Sequence, residues 1–134
     1  MDNQGFELRI ITPHRVFYEG EVDMVEFNTT EGEIGVLPGH IPMTVIVKPG
    51  ILTISEKNGE KQAALHSGFA EILPERITIL AEVIEWPEEI DEERAKAARE
   101  RAEKRLEQGD NPDLDLRRAQ LALRRSLTRL QIKK

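Results

Sequence analysis

The chain changes its periodicity at Trp86-Pro87, and that break constrains the architecture more than any other feature of the sequence. Between Gly5 and about Val83 the apolar residues return at every second position. Phe6, Leu8 and Ile10 alternate with Glu7 and Arg9, and Ile77, Ile79, Ala81 and Val83 alternate with Thr78, Leu80 and Glu82. A period of two sends alternate side chains to one face, so this part reads as strands. Asn58-Gly59 lies between ILTISEK and EKQAALH and predicts a hairpin, because a type I′ turn needs positive φ at both central residues. Short strands with no helical pattern between them predict a sandwich or barrel rather than a parallel sheet. After Pro87 the run EEIDEERAKAARERAEKRLEQ has no Gly or Pro and is built of good helix formers. Asp91 is a natural N-cap, Glu92 and Glu93 suit the positive end of the dipole, and Lys104 and Arg105 suit the negative end. Gly109 can stop this helix, and Asn111-Pro112 can open a second that runs to about Ile132. The expected fold class is α+β, with a strand domain over 1–87 and an antiparallel two-helix hairpin over 88–134.

A chain of 134 residues allows one ordinary domain, or a small one with an appendage. Only six aromatics are present, so the core must be mostly aliphatic. Absence of cysteine removes disulfides, thiolate metal sites and cysteine nucleophiles together. No apolar run approaches the roughly 20 residues of a membrane helix, and the start MDNQGFELR lacks the apolar stretch of a signal peptide. The net charge of −6 conceals a polarity: residues 1–87 carry −8, residues 88–112 carry −3 and residues 113–134 carry +5. A basic tail on an acidic body suits an acidic protein surface, a nucleic acid or its own body, and Coulomb attraction alone does not choose among them.

The apolar stripe of the first helix is Ala95, Ala98, Ala102 and Leu106, which has helical spacing but little area to bury. Leu116, Ala119, Leu123, Leu127 and Leu130, with Leu114 and Leu121 beside them, give the second helix a wider stripe than such a partner covers. Isolated helices of this length are marginal in water, so their place depends on the surface they dock against. A relocatable hairpin and a stably docked one both fit this pattern.

Chemistry finds few footholds. Ser55, Ser67 and Ser126 lie in no nucleophile-elbow context, and His14, His40 and His66 are dispersed. Metal-ligand spacings and a GxxxxGK[ST] phosphate loop are both missing. The basic tail has no aromatic on which a base could stack. GEIGVLPGHIPM, residues 32–43, is dense in Gly and Pro for so apolar a segment, so it reads either as a shaped loop presenting Glu33 and His40 or as a sandwich corner with His40 hydrogen-bonded internally. In IDEERA, Asp91 and Arg94 are spaced for an i, i+3 ion pair. Arg94 and Arg101 are seven apart and nearly eclipsed, with Arg105 one turn further, which also fits an anion cradle. Two arginines at about 1.5–3 kcal/mol each fall short of the roughly 8 kcal/mol of a micromolar complex, so base and ribose contacts would be needed too.

GEIGVLPGHIPM, SGFAEILPERITILAE (67–82) and IDEERAKAARERAEKRLE together resemble the epsilon subunits of bacterial F-type ATP synthase, closest to those of thermophilic bacilli, over nearly the whole chain. That resemblance implies a ten-stranded N-terminal β-sandwich of two five-stranded sheets, followed by the helical hairpin. It implies a non-catalytic central-stalk subunit of a proton-translocating synthase, peripheral to the cytoplasmic face of the bacterial cell membrane. The sandwich would bind the gamma subunit and sit on the c ring, with Glu33 and His40 among the subunit contacts. The hairpin would exchange between a compact form and an extended form that reaches the alpha-beta hexamer and inhibits ATP hydrolysis. The family's I/L-D-x-x-R-A motif is matched by Ile90, Asp91, Arg94 and Ala95. In the thermophilic members ATP bound there favours the compact form.

The resemblance assigns Ile90 and Ala95 to the base, Glu85 and Asp91 to polar groups of the nucleoside, and Arg94 and Arg101 to phosphates, with Arg129 approaching on closure. Arg118, Arg125 and Arg129 would meet acidic residues of the beta subunit in the extended form. No cofactor is required; ATP is a regulatory ligand, and the part of Mg²⁺ is left open. One departure is Trp86-Pro87, where thermophilic relatives usually carry a small or basic pair without proline. Two other readings compete: a free-standing nucleotide-sensing adaptor, and an enzyme, for which no nucleophile, metal or acid-base pair presents itself.

Overall fold

A computed structural model describes residues 5–108 and 113–133, without the side chains of 113–115. Eight strands come first: β1 (Phe6–Ile11), β2 (Val16–Val22), β3 (Met24–Thr29), β4 (Gly32–Val36), β5 (Met43–Val47), β6 (Gly50–Glu56), β7 (Gly59–Ile72) and β8 (Arg76–Glu85). A single 3₁₀ turn, Pro87–Glu89, leads into α1 (Glu92–Gln108) and α2 (Asp113–Lys133). Gly109 and Asn111-Pro112, expected to end one helix and begin the next, lie outside the described residues.

Among the described residues, ten strands in two separate five-stranded sheets do not form. The eight strands make one hydrogen-bonded network in the order β2-β1-β8-β7-β5-β3-β4, with β6 joined to β3 and β7. The reason is the length of β7. Its first half, Gly59–Leu65, pairs with β6, its second half, Gly68–Ile72, pairs with β5, and β8 follows it along residues 64–72. The register slips between Leu65 and Gly68. A bulge there bends the strand and lets one ladder wrap both sides of a common core. Gly68 has φ 147°, and a Cβ on it would collide with the Leu80 carbonyl oxygen, so the bend requires glycine. Every pairing is antiparallel except β1 with β8, whose parallel register runs from Glu7↔Arg76 to Ile11↔Leu80.

The core is aliphatic as the composition requires. Leu8, Ile10, Val25, Leu52, Ile54, Ile72, Ile77 and Ile79 are fully buried, with Phe27 the largest member. Burial of each such side chain is worth roughly 1.5–3 kcal/mol. The period-two reading of β8 holds through Ala81 and then slips by one: Val83 is half-buried while Ile84 is buried. The shift accompanies the bulge in its partner. The β6–β7 hairpin also forms one residue early, with Glu56 paired to Gly59 so that Lys57-Asn58 make the turn.

The helices differ from this core in kind. Ala95 and Ala102 of α1 and Ala119 and Ser126 of α2 are buried, whereas Leu116, Leu121 and Leu127 remain 39–45% exposed. Small side chains bury little area and leave the leucine stripe partly uncovered. α2, not α1, makes the main contact with the sandwich, against β6, β7 and the 3₁₀ turn.

Candidate functional site

Where β8 gives way to the helices, a cavity of about 290 Å³ opens, lined by Glu85, Glu89, Ile90, Asp91, Arg94, Ala95, Ala98, Arg101 and Arg129. It lies at the lower edge of the roughly 300–1,000 Å³ of small-molecule sites. All seven residues assigned to nucleotide binding line it, drawn from β8, the segment after the 3₁₀ turn, α1 and α2. Arg105, expected one turn beyond Arg101, does not.

The local chemistry explains each placement. Asp91 caps α1: its Oδ1 accepts from the Arg94 backbone N–H at 3.2 Å, and its carbonyl accepts from the Ala95 N–H at 3.0 Å. The expected i, i+3 ion pair with the Arg94 guanidinium is not formed, because the carboxylate is turned to the helix end. Among the described residues neither Arg94 nor Arg101 enters an ion pair, so two guanidinium groups are left to face the cavity. Ile90 and Ala95 are buried and supply its apolar wall.

Glu85 is the junction between sandwich and hairpin. Its Oε1 accepts from Arg129 Nε at 2.7 Å and stands 3.1 Å from His66 Nε2. Burial alone would raise this carboxyl, but the bonds from His66 and Arg129 and the arginine's charge outweigh it and bring the pKa down to about 2. His66 is pushed below its ordinary value, first by burial and then by the charges of Arg129 and Arg125, against the opposing pull of Glu85. Two further bonds hold α2 down: Arg125 Nη2 to Ser67 Oγ at 3.5 Å, and Lys133 Nζ to the Pro87 carbonyl at 3.2 Å.

His66 and Glu89 were not picked out from the sequence. His66 carried a signal, since AALH places four buried residues in succession on one strand. Unbroken burial means that both faces are covered, here by the core and by α2. Glu89 lines the cavity but is already committed. It accepts from Arg15 Nη2 through both oxygens at 2.9 Å and from the Trp86 backbone N–H at 2.9 Å. Trp86 stacks on Phe17 with centroids 4.3 Å apart and planes 18° from parallel. The Trp86-Pro87 departure therefore fastens the root of the hairpin to the sandwich.

The other sequence-selected residues fall elsewhere. Glu33 is exposed at the rim of a second cavity of about 420 Å³ between the β3–β4 turn, Lys48-Pro49 and α2. The His40 ring bonds the carbonyl of its neighbour Ile41 at 2.9 Å, in keeping with an internal hydrogen bond. Its loop nevertheless exposes Leu37 and, at 72%, Ile41. Gly39, at φ 81°, donates to the Pro74 carbonyl and fixes the loop's base. Arg118 is exposed on α2, apart from the cavity. A third feature had no sequence reading: a groove of about 580 Å³ on the outer face, where Ile46, Phe69 and Leu80 stand exposed beside Ile11 and Pro13. Among the described residues no cluster of three or more metal-ligating side chains occurs, and no helix is long and apolar enough to cross a membrane.

Comparison with known proteins places this architecture. Residues 5–87 match the family model of the ATP synthase delta/epsilon chain β-sandwich domain, and residues 88–134 match that of the delta/epsilon chain long α-helix domain. The ATP synthase epsilon chain of Halalkalibacterium halodurans is 44% identical over 93% of this chain and 94% of its own length. That of Caldanaerobacter subterraneus subsp. tengcongensis is 44% identical over 97% and 94%, and that of Bacillus velezensis is 40% identical over 94% and 95%. The fold is shared with a chain of the Euglena gracilis mitochondrial ATP synthase OSCP/F1/c-ring assembly, at TM-score 0.82 and 24% identity over 96% of this chain and 80% of that one. A chain of the Tetrahymena thermophila mitochondrial ATP synthase central stalk and c ring gives 0.66 and 13%, with both chains fully covered. With both segments matched in order and relatives at this identity along almost their full length, the chain belongs to the ATP synthase delta/epsilon chain family, as a non-catalytic epsilon subunit.

Proposed function

We propose that this epsilon subunit is a rotor component of a bacterial, proton-translocating F-type ATP synthase, and that its helical hairpin is an ATP-sensitive inhibitor of ATP hydrolysis. Residues 1–87 serve as the anchor on the gamma subunit and the c ring, and residues 88–134 as the regulatory arm reaching the alpha and beta subunits. The whole subunit is peripheral to the cytoplasmic face of the membrane through the complex. The exposed apolar groove around Ile46, Phe69 and Leu80 supports docking of the sandwich on gamma. The loop carrying Glu33, His40 and exposed Ile41 supports contact with the c ring.

The observation that carries the regulatory reading is the convergence of Glu85, Ile90, Asp91, Arg94, Ala95, Arg101 and Arg129 on one cavity. A nucleotide there would be touched by sandwich and both helices at once, so its binding would favour the docked hairpin over a released one. Ile90 and Ala95 offer an apolar wall to the base, Glu85 and Asp91 offer acceptors to the nucleoside, and Arg94 and Arg101 offer donors to phosphate. Arg129 spends Nε on Glu85 and keeps its terminal nitrogens for the ligand. A nucleotide at 100 times its dissociation constant would add about 2.7 kcal/mol to the docked form. In the released form, Arg118, Arg125 and Arg129 become available to acidic residues of the beta subunit.

Calorimetry of ATP on the full chain, with Arg94→Ala as control, tests the site. Saturable heat abolished by the substitution is expected; heat unaltered by it would remove the assignment. Deletion after Glu88 should relieve inhibition of ATP hydrolysis in the assembled complex, and unchanged hydrolysis would sink the inhibitory role.

A further inference from the structure

His66 is fully buried in β7. Nε2 faces Glu85 Oε1 at 3.1 Å, while Nδ1 is buried without a hydrogen-bond partner among the described residues. A neutral ring with its proton on Nε2 satisfies the carboxylate and leaves only a bare lone pair at Nδ1. The charged groups acting on the ring are Glu85 from β8 and Arg125 and Arg129 from α2. Beside it, Ser67 donates to Glu82 Oε1 at 2.9 Å and accepts from Arg125. On β6 the residues paired with Ala63, Ala64 and Leu65 are Leu52, Ile51 and Gly50, which carry no charge. α1 contributes Arg94 and Arg101, and the 3₁₀ turn Glu89, to the cavity that Glu85 also lines and His66 does not.

We propose that His66 is a proton-sensitive latch, a positioning residue that holds Glu85 for Arg129 while neutral and releases α2 from the sandwich when protonated. This rests on the reading of the hairpin as an arm that docks and leaves. A second proton at Nδ1 would meet no acceptor in the docked arrangement and would add a cation beside two guanidinium groups. Departure of α2 removes those two charges and opens the strand face to water. The released form therefore takes up the proton more readily than the docked form, and the form that binds more protons gains as pH falls. The docked form keeps its full advantage above the ordinary histidine value of 6.5 and loses it progressively below. Among the described residues neither His14 nor His40 is hydrogen-bonded to any of these groups.

The chain has no native cysteine, so Glu60→Cys and Gln120→Cys can carry a donor and acceptor dye on the full-length protein. Energy transfer is followed from pH 7.5 to 5.5, and separately at pH 7.5 with ATP added and withdrawn. The released population should rise at least threefold on acidification in the parent and stay flat in His66→Gln, which keeps a neutral donor and cannot take a second proton. A pH response unchanged in His66→Gln, or none in the parent, overturns the latch. If the variant does not fold, the His66 ring resonances of the parent decide. Titration below 6.5 in step with the loss of transfer supports the latch, and titration near 6.5 with transfer constant overturns it. A chain that answers ATP but not acid loses only the latch, and one that answers acid but not ATP loses only the nucleotide site.

Discussion

The sandwich and the hairpin are held by different physics. Strand side chains such as Ile79 and Leu52 are buried to nothing in a continuous aliphatic core. The helices bury small side chains, Ala95, Ala102, Ala119, Ser126 and Thr128, and among the described residues α2 bonds the sandwich and the 3₁₀ turn through three side chains, Arg125, Arg129 and Lys133. Area buried from water is lost only by unfolding. A few charge-assisted bonds can be exchanged for water or for a partner's carboxylates at modest cost. The contrast is between a body held by buried area and an arm held by exchangeable bonds, which is what the proposed function requires.

The largest expected effect lies in the body. Ile79→Ala should lower sandwich stability by about 2–5 kcal/mol in chemical denaturation, and a loss below 1 kcal/mol would show the core to be less decisive than claimed. Acid comes next. Glu85 has its pKa lowered in the fold, so its contribution is complete above about 4.5 and disappears as pH falls toward 2. The fold should lose up to about 3 kcal/mol across that window; only the share owed to Arg129 weakens docking of α2, because His66 stays beside Glu85 on the sandwich. Glu85→Gln should flatten the response. Arg129→Ala should shift the hairpin toward release by about 1.5–3 kcal/mol, tenfold or more in population, while the denaturation midpoint of the sandwich barely moves. A matching drop in both would mean that the two regions are one cooperative unit.

Smaller effects map the root. Trp86→Leu should cost about 0.5–1.5 kcal/mol beyond lost area, through the Phe17 stack, and should increase amide exchange at Glu88 and Glu89. Arg15→Ala removes a largely exposed pair with Glu89 and should cost under about 1 kcal/mol. If Arg15→Ala freed the hairpin as fully as Arg129→Ala, the hinge would lie before the 3₁₀ turn instead of at the end of β8.

Much of this could be read from the chain. Alternation in β1 and in the first half of β8 told which residues are buried, because each has one covered face and one wet face. Asp91 announced the start of α1 through its capping chemistry. What escaped reading depended on contacts distant in sequence. The slip between Ala81 and Ile84 follows a bulge in another strand, and the single network of eight strands follows from how far β7 continues beyond a bend that Gly68 permits. The seven cavity residues were legible through resemblance. Their meeting with His66 was not, since a lone histidine in AALHSGF does not disclose that Arg125 and Arg129 of a distant helix will lie over it. Nor does Trp86-Pro87 disclose Phe17 and Arg15 as its anchors.

The path of β7 has a mechanical corollary. Two stacked sheets touching only through side chains could shear past each other under a twisting load, with apolar contacts sliding one over the next. Here β7 and β8 are stitched by backbone hydrogen bonds along Ala64 to Ile72, on both sides of the bend. A torque delivered to one face must stretch peptide bonds' own partners before the other face can lag. If the sandwich rides on a turning shaft, as proposed, it is in this way woven against torsion, and its stiffness resides in the main chain rather than in any particular side chain.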